Sequence, residues 1–167
     1  MEPWERLDSA SAEEGRRLLT TCCGSSAWVE RMLRRRPFGS ADALVIAARE
    51  AWHDLTHTDW LEAFSHHPKI GDRASLAHRF AATAHLSSHE QSGVADASTQ
   101  VLEDLAGANR TYEEKFGYIF IVCATGKSAA EMLVLLHERL RNDAETEIRM
   151  AAGEQGKITA LRLRGLG

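Results

Sequence analysis

Cysteine is scarce in this sequence and poorly placed for its common structural uses. Cys22, Cys23 and Cys123 are an odd set, two of them adjacent and none at metal-ligand spacing. That argues against a disulfide framework and for a reducing compartment. No apolar run approaches the length of a membrane span. The opening residues, Met1-Glu2-Pro3-Trp4-Glu5, are acidic and lack the apolar core of a secretory leader. The closing Arg164-Gly165-Leu166-Gly167 is not a peroxisomal address of the Ser-Lys-Leu type. A cytoplasmic chain with no membrane partner is the expectation. A net positive charge is also lacking. The net charge is −4, so there is no bulk basic field for nucleic acid. The one basic run, Arg34-Arg35-Arg36, closes a helix-like segment, where cations complement the negative end of the helix dipole.

What is present is an ordinary globular composition. The 167 residues are 44% hydrophobic and 26% charged, enough for one domain with a sizeable core over 1–167. Nearly every segment reads helical. Ser11-x-x-Glu14 is a capping box ahead of Leu18 and Leu19. Ser25 or Ser26 opens a segment carrying Trp28, Val29, Met32 and Leu33, ended by Pro37. Ser40 opens another, with Leu44, Ala47, Ala48, Ala51 and Trp52 at helical spacing. Thr58 is read as the cap of a short helix through Trp60, Leu61 and Phe64. Residues 73–86 read as a loop with a helical turn. Ser87-x-x-Glu90 is a second capping box, with helix expected to about Gly107 and a separate turn over Tyr112–Gly117. Tyr118–Ala124 is β-prone in composition but has no partner strand, so it is read as a wholly buried segment. Ser128-x-x-Glu131 caps the next helix. A last one runs from about Ala144, loosened by Gly153 and Gly156. The expectation is a single all-α domain, a bundle of about seven to nine helices.

Chemistry concentrates in His66-His67-Pro68-Lys69-Ile70-Gly71-Asp72-Arg73. Pro68 fixes its own φ and pushes His67 out of the α region, so a helix running to Ser65 should end there with His67 in a set direction. An imidazole titrates near neutrality and serves as a general acid or base. The plainer alternative is a histidine that merely ends a helix. His66 has less to orient it. A second polar knot is Ser87-Ser88-His89-Glu90-Gln91-Ser92-Gly93-Val94. In its plain reading Ser87 and Glu90 only cap each other. In its functional reading Ser87, Gln91 and the unpaired N–H groups of a helix start form a cradle for a carboxylate or urea, with Glu90 facing the ligand or His67.

Two other patterns fall short. Gly126-Lys127-Ser128 ends like a phosphate-binding loop, but the pattern needs glycine where Ile121 stands. His53 and His57 are four residues apart, yet Asp54 stands where a metalloprotease helix has glutamate, and no third ligand is implied. No metal is expected.

These two knots, followed by Tyr112-Glu113-Glu114-Lys115-Phe116-Gly117 and the run from Tyr118 to Ser128, resemble the OHCU decarboxylases. These are the 2-oxo-4-hydroxy-4-carboxy-5-ureidoimidazoline decarboxylases of urate breakdown. The resemblance extends through Lys157-Ile158-x-x-Leu161-Arg162-Leu163. It implies an all-α, cofactor-free enzyme converting OHCU to (S)-allantoin and carbon dioxide. The histidine before the proline, His67, is then catalytic, with Glu90 beside it. Pro68, Ser87 and Gln91 contact substrate, as does the run Ile121, Val122, Cys123, Ala124 and Thr125. Some members carry arginine where this chain has Thr125, so neutral donors are implied there. The partner implied is a small molecule, and a homodimer is compatible with the sequence.

The reaction suits such residues. Loss of carbon dioxide leaves an electron pair on the ring carbon, and the adjacent C=N accepts it, so no cofactor is needed as electron sink. His67 and Glu90 suit the proton and polarising roles. Two other readings stand beside this one. A hydrolase of a related ureide would use His67 to activate water and release no carbon dioxide. A noncatalytic helical binding module would bury His67 and Glu90 in packing.

Overall fold

The computed structural model describes residues 1–67 and 91–167, the side chains of 91–98 excepted. Eight helices make up the described residues: α1 Pro3–Ser9, α2 Ala12–Cys22, α3 Ser26–Arg34, α4 Ala41–His53, α5 His57–Ser65, α6 Gln91–Phe116, α7 Ala129–Arg139 and α8 Ala144–Arg164. Among them there is no strand, and the all-α expectation is met. The chain forms two compact units, Met1–His67 with Ile148–Gly167, and Pro68–Glu147.

In the first unit the helix starts follow short polar side chains. The hydroxyls of Ser11, Ser25 and Ser40 accept from the N–H groups of Glu14, Trp28 and Ala43 at 3.1, 3.3 and 3.1 Å. For α5 the cap is Thr56 rather than Thr58. Asp59 N–H reaches Thr56 Oγ1 at 3.3 Å, and the Asp59 carboxylate accepts from Thr56 N–H at 3.2 Å. Only Thr56 has an acid three residues on to close such a box, which decides between the two threonines. Helix α1 went unread in the sequence; a Glu2–Glu5 box starts it with Pro3 in its first turn.

Leu7, Leu19, Trp28, Met32 and Phe64 are fully buried in this unit. Each such side chain contributes roughly 1.5–3 kcal/mol by leaving water. Indole N–H groups are spent inside it: Trp28 donates to Ala48 O at 3.1 Å, Trp52 to Ala152 O at 2.8 Å and Trp60 to Trp52 O at 3.1 Å. In the basic run Arg34 stands in the last turn of α3, as the dipole reading has it, while its two neighbours have other partners. Arg36 Nη1 donates to Leu7 O and Ala10 O, both at 2.8 Å, closing the end of α1, and Arg35 pairs with Glu50 at 2.6 Å.

In the second unit α6 is one helix to Phe116, without the break expected after Gly107. Leu105, Ala108 and Tyr112 are buried at helical spacing across the glycine. That burial outweighs the ~1 kcal/mol a helix-interior glycine costs. The helix stops at Gly117, whose φ of +84° places it in the left-handed region, with its N–H on Glu113 O at 2.8 Å. Leu105, Tyr112, Phe120, Val122, Met132 and Leu136 form the core of this unit. Ser128 caps α7 through Glu131 N–H at 3.1 Å. Helix α8 is continuous through Gly153 and Gly156 rather than loosened there. Its first turn belongs to the second unit and its remainder to the first.

Candidate active site

The expected helix end before Pro68 is present. Helix α5 stops at Ser65, and the N–H groups of His66 and His67 return to Ala63 O and Phe64 O, both at 3.2 Å. His67 is half-buried. Its Nε2 is hydrogen-bonded to Oε1 of Gln155, which lies on α8 in the same unit. Gln155 is itself 1% exposed, and its Nε2 donates to Thr159 Oγ1 at 3.1 Å. The Thr159 hydroxyl also hydrogen-bonds Cys23. Burial pushes the Cys23 thiol up to about 11, and the contacts from Ser25 and Thr159 offset part of that rise. A buried polar line thus runs from Cys23 through Thr159 and Gln155 to His67.

His66 is oriented after all, but by packing. Its exposed ring has Nδ1 on Glu62 O at 2.9 Å, and it lies over Gly24. A Cβ at position 24 would stand 2.4 Å from His66 Cγ. The two neighbouring histidines therefore point to different surroundings, His66 to the α2–α3 connection and His67 to α8.

The second unit holds the run read as substrate-contacting. Phe120, Ile121, Val122 and Cys123 are buried, Tyr118, Ile119 and Ala124 partly so, and Thr125 is exposed. The segment is irregular rather than extended into a sheet, and it is not buried throughout. Its carbonyls are fixed by cations and a turn. Arg139 Nη1 donates to Ile121 O, Lys127 Nζ to Cys123 O at 2.7 Å, and Lys127 N–H to Ala124 O at 3.0 Å, with Gly126 at φ +76° completing the turn. Arg139 in turn pairs with buried Glu147, Nη2 to Oε2 at 2.7 Å. Tyr112 donates its hydroxyl to Glu147 Oε2 at 2.6 Å, and Asn142 Nδ2 donates to Oε1 at 3.2 Å. Burial and the Glu147 carboxylate hold the Tyr112 hydroxyl well above its ordinary range.

His53 and His57 do not share a helix face, because His53 ends α4 and His57 begins α5. His57 instead stacks on Trp60, with ring centroids 5.3 Å apart. Among the described residues no group of three potential metal ligands comes together, and no helix is long and apolar enough to cross a membrane. A cleft of about 390 Å³ in the first unit is floored by Trp52 and Trp60, but His67 does not line it. Pro68, Ser87 and Glu90 lie outside the described residues, and Gln91 is described only as backbone at the start of α6. Gln155, Thr159, Arg139 and Glu147 were not singled out in the sequence. They lie in helices with no motif around them, and only their polarity at buried helical positions distinguishes them.

A family model described as OHCU decarboxylase matches residues 8–164. The chain is 42% identical over 146 residues to the uric acid degradation bifunctional protein TTL of Arabidopsis thaliana, an alignment covering 87% of this chain and 45% of that protein. It is 30% identical to the 2-oxo-4-hydroxy-4-carboxy-5-ureidoimidazoline decarboxylase of Haloferax volcanii, over 83% of this chain and 80% of that one. A crystal structure of OHCU decarboxylase in the presence of (S)-allantoin superposes with a TM-score of 0.71 at 37% identity, covering 94% of this chain and 98% of that one. A bifunctional protein of a Bacillus strain is matched over 31% of its length, so the chain spans less than half of either bifunctional relative.

Proposed function

The chain belongs to the OHCU decarboxylase family, and from that premise we propose that it converts OHCU to (S)-allantoin and carbon dioxide in urate breakdown. The observation that carries the reading is the extent of the match. Residues 8–164 include His67, Glu90, Gln91 and the whole of 121–125. The hydrogen-bonded setting of His67 and the fixed carbonyls of 121–124 lend support.

In this reading the carboxylate carbon–carbon bond breaks, its electron pair passes onto the ring carbon and toward the C=N, and carbon dioxide leaves. His67 and Glu90 share proton delivery and polarisation of the ring. Pro68, Ser87 and Gln91 line the substrate with the backbone of Ile121, Val122, Cys123, Ala124 and Thr125. Because Thr125 is neutral, the substrate carboxylate meets neutral donors at that position. The ring is its own electron sink, so metal and organic cofactor are dispensable. The substrate is a small molecule, with neither nucleic acid nor membrane as partner, and the working form is compatible with a homodimer. The three free cysteines, all buried, support a cytoplasmic setting.

The test is to add purified protein to freshly made OHCU and follow optical rotation with carbon dioxide release. Spontaneous decay gives racemic allantoin; the enzyme should give one enantiomer at an accelerated rate. A ring-opened product without carbon dioxide would make it a hydrolase, and an unaltered racemic decay a binding module.

A further inference from the structure

We propose that Gln155 is a positioning residue that locks the neutral His67 ring as its Nε2–H tautomer and so assigns proton transfer to Nδ1. The proposal rests on the catalytic reading of His67 but has a readout independent of it.

The Thr159 hydroxyl has one hydrogen and is shared between Cys23 and Gln155. The Thr159 oxygen accepts from the Gln155 amide N–H at 3.1 Å. Gln155 and Thr159 are four residues apart on α8, so one helix face presents both groups in register. With its NH₂ committed to Thr159, the amide turns its carbonyl oxygen to His67. A carbonyl only accepts. The ring nitrogen facing it, Nε2, must carry a hydrogen in the neutral and the charged ring alike. The lone pair of the neutral imidazole is then on Nδ1, and the proton gained or lost in the reaction is the one on Nδ1. Reversal would set acceptor against acceptor at a site where Gln155 is 1% exposed and water is a poor substitute.

This arrangement does for His67 what a buried carboxylate does for other catalytic imidazoles, which is to hold the ring and choose the reactive nitrogen. A neutral amide does so without adding charge, so the ring keeps the freedom to lose its proton that a general acid–base needs.

The experiment uses the full chain, labelled with ¹⁵N in histidine, and its Gln155→Met and Gln155→Glu variants. Long-range ¹⁵N–¹H spectra at a pH where His67 is neutral should give the Nε2–H pattern in the parent and a mixture in Gln155→Met. Gln155→Met should lower kcat by about 10- to 100-fold, the size typical when an imidazole loses the group that orients it, with KM changed less. Gln155→Glu keeps an acceptor, should keep the Nε2–H pattern, and should move the His67 limb of the pH–rate profile upward, because a carboxylate favours the imidazolium. An Nδ1–H pattern in the parent overturns the proposal. So does a Gln155→Met variant with parental kcat and pH profile. If the chain does not turn over OHCU at all, the decarboxylase reading fails, and the spectra alone still decide whether Gln155 sets the tautomer.

Discussion

Arg139 and Glu147 form a sealed ion pair, Nη2 to Oε2 at 2.7 Å, with side chains 5% and 0% exposed. Arg139 Nε also reaches both carboxylate oxygens, at 3.0 and 2.9 Å, and the guanidinium lies 4.6 Å over the Phe120 ring. Desolvating two charges is costly, and hydrogen bonds to Ile121 O from Arg139 and to Glu147 from Tyr112 and Asn142 offset part of that cost. The pair ties α7 and the start of α8 to the irregular 118–127 segment.

Removing one member alone should therefore be severe. Glu147→Leu leaves the Arg139 charge buried and uncompensated, and should cost about 3–5 kcal/mol in urea unfolding. The double variant Arg139→Met/Glu147→Leu should recover a large part of that loss, since apolar replacement of both partners removes the desolvation cost. A double variant no more stable than Glu147→Leu would show that the cluster's value lies in its hydrogen bonds to Ile121 and Tyr112 and not in charge compensation.

Gly24 should prove intolerant of any side chain. An alanine Cβ would meet His66 at Cγ, Nδ1 and Cβ at 2.4, 2.5 and 2.7 Å. Rotation about χ1 moves Cγ and Nδ1, but Cβ is fixed to the His66 backbone, so the chain itself must move and carry His67 with it. Gly24→Ala should lower both the thermal midpoint and kcat. Adding His66→Gly removes the obstructing atoms and should restore much of both. Equal loss in the single and double variants would mean that the ring is not the obstacle.

Helix starts were legible because a cap is a local event: Ser11, Ser25, Ser40 and Ser128 each answer an N–H three residues on. In the sequence α6 reads as broken because Gly107 and the polar residues after it speak locally for a stop, while the burial of Leu105 and Tyr112 that carries the helix through is tertiary. The same division holds at the site. Pro68 announces that α5 ends and that His67 is held in a set direction. What holds His67, however, is Gln155, 88 residues away, and no local pattern reports so distant a partner. What orients His66 is hidden for the same reason, since Gly24 gives no sign in sequence of the ring that covers it.

Alkaline pH should erode stability through Cys23. Burial raises its thiol from 9.0 to about 11, so the folded chain holds this proton more tightly than the unfolded one. The resulting stabilisation is complete below pH 9 and is lost as pH climbs through about 11. At about 1.36 kcal/mol per pKa unit this is roughly 2–3 kcal/mol. Cys22 and Tyr112, also raised by burial, add slope of the same sign. Unfolding free energies measured between pH 8 and 11 should fall, and Cys23→Ala should flatten part of that fall. An unchanged slope in Cys23→Ala would remove the thiol from the account.

The two adjacent histidines give the sharpest test of the catalytic assignment. His67 has its Nε2 on a buried amide and stands where the family resemblance puts the acid–base group, whereas His66 is exposed and engaged with Glu62 O and Gly24. A single general acid–base group typically supplies about 10²- to 10⁴-fold in rate. His67→Asn should lose kcat on that order with the helical circular dichroism intact. Glu90→Gln should also impair turnover, and the double variant should be little worse than the poorer single one if the two act as a unit. His66→Asn removes a surface packing contact and should leave kcat within a fewfold of the parent. A His66→Asn variant that is dead beside an active His67→Asn would transfer the catalytic role to His66 and undo the argument from Pro68 and Gln155 together.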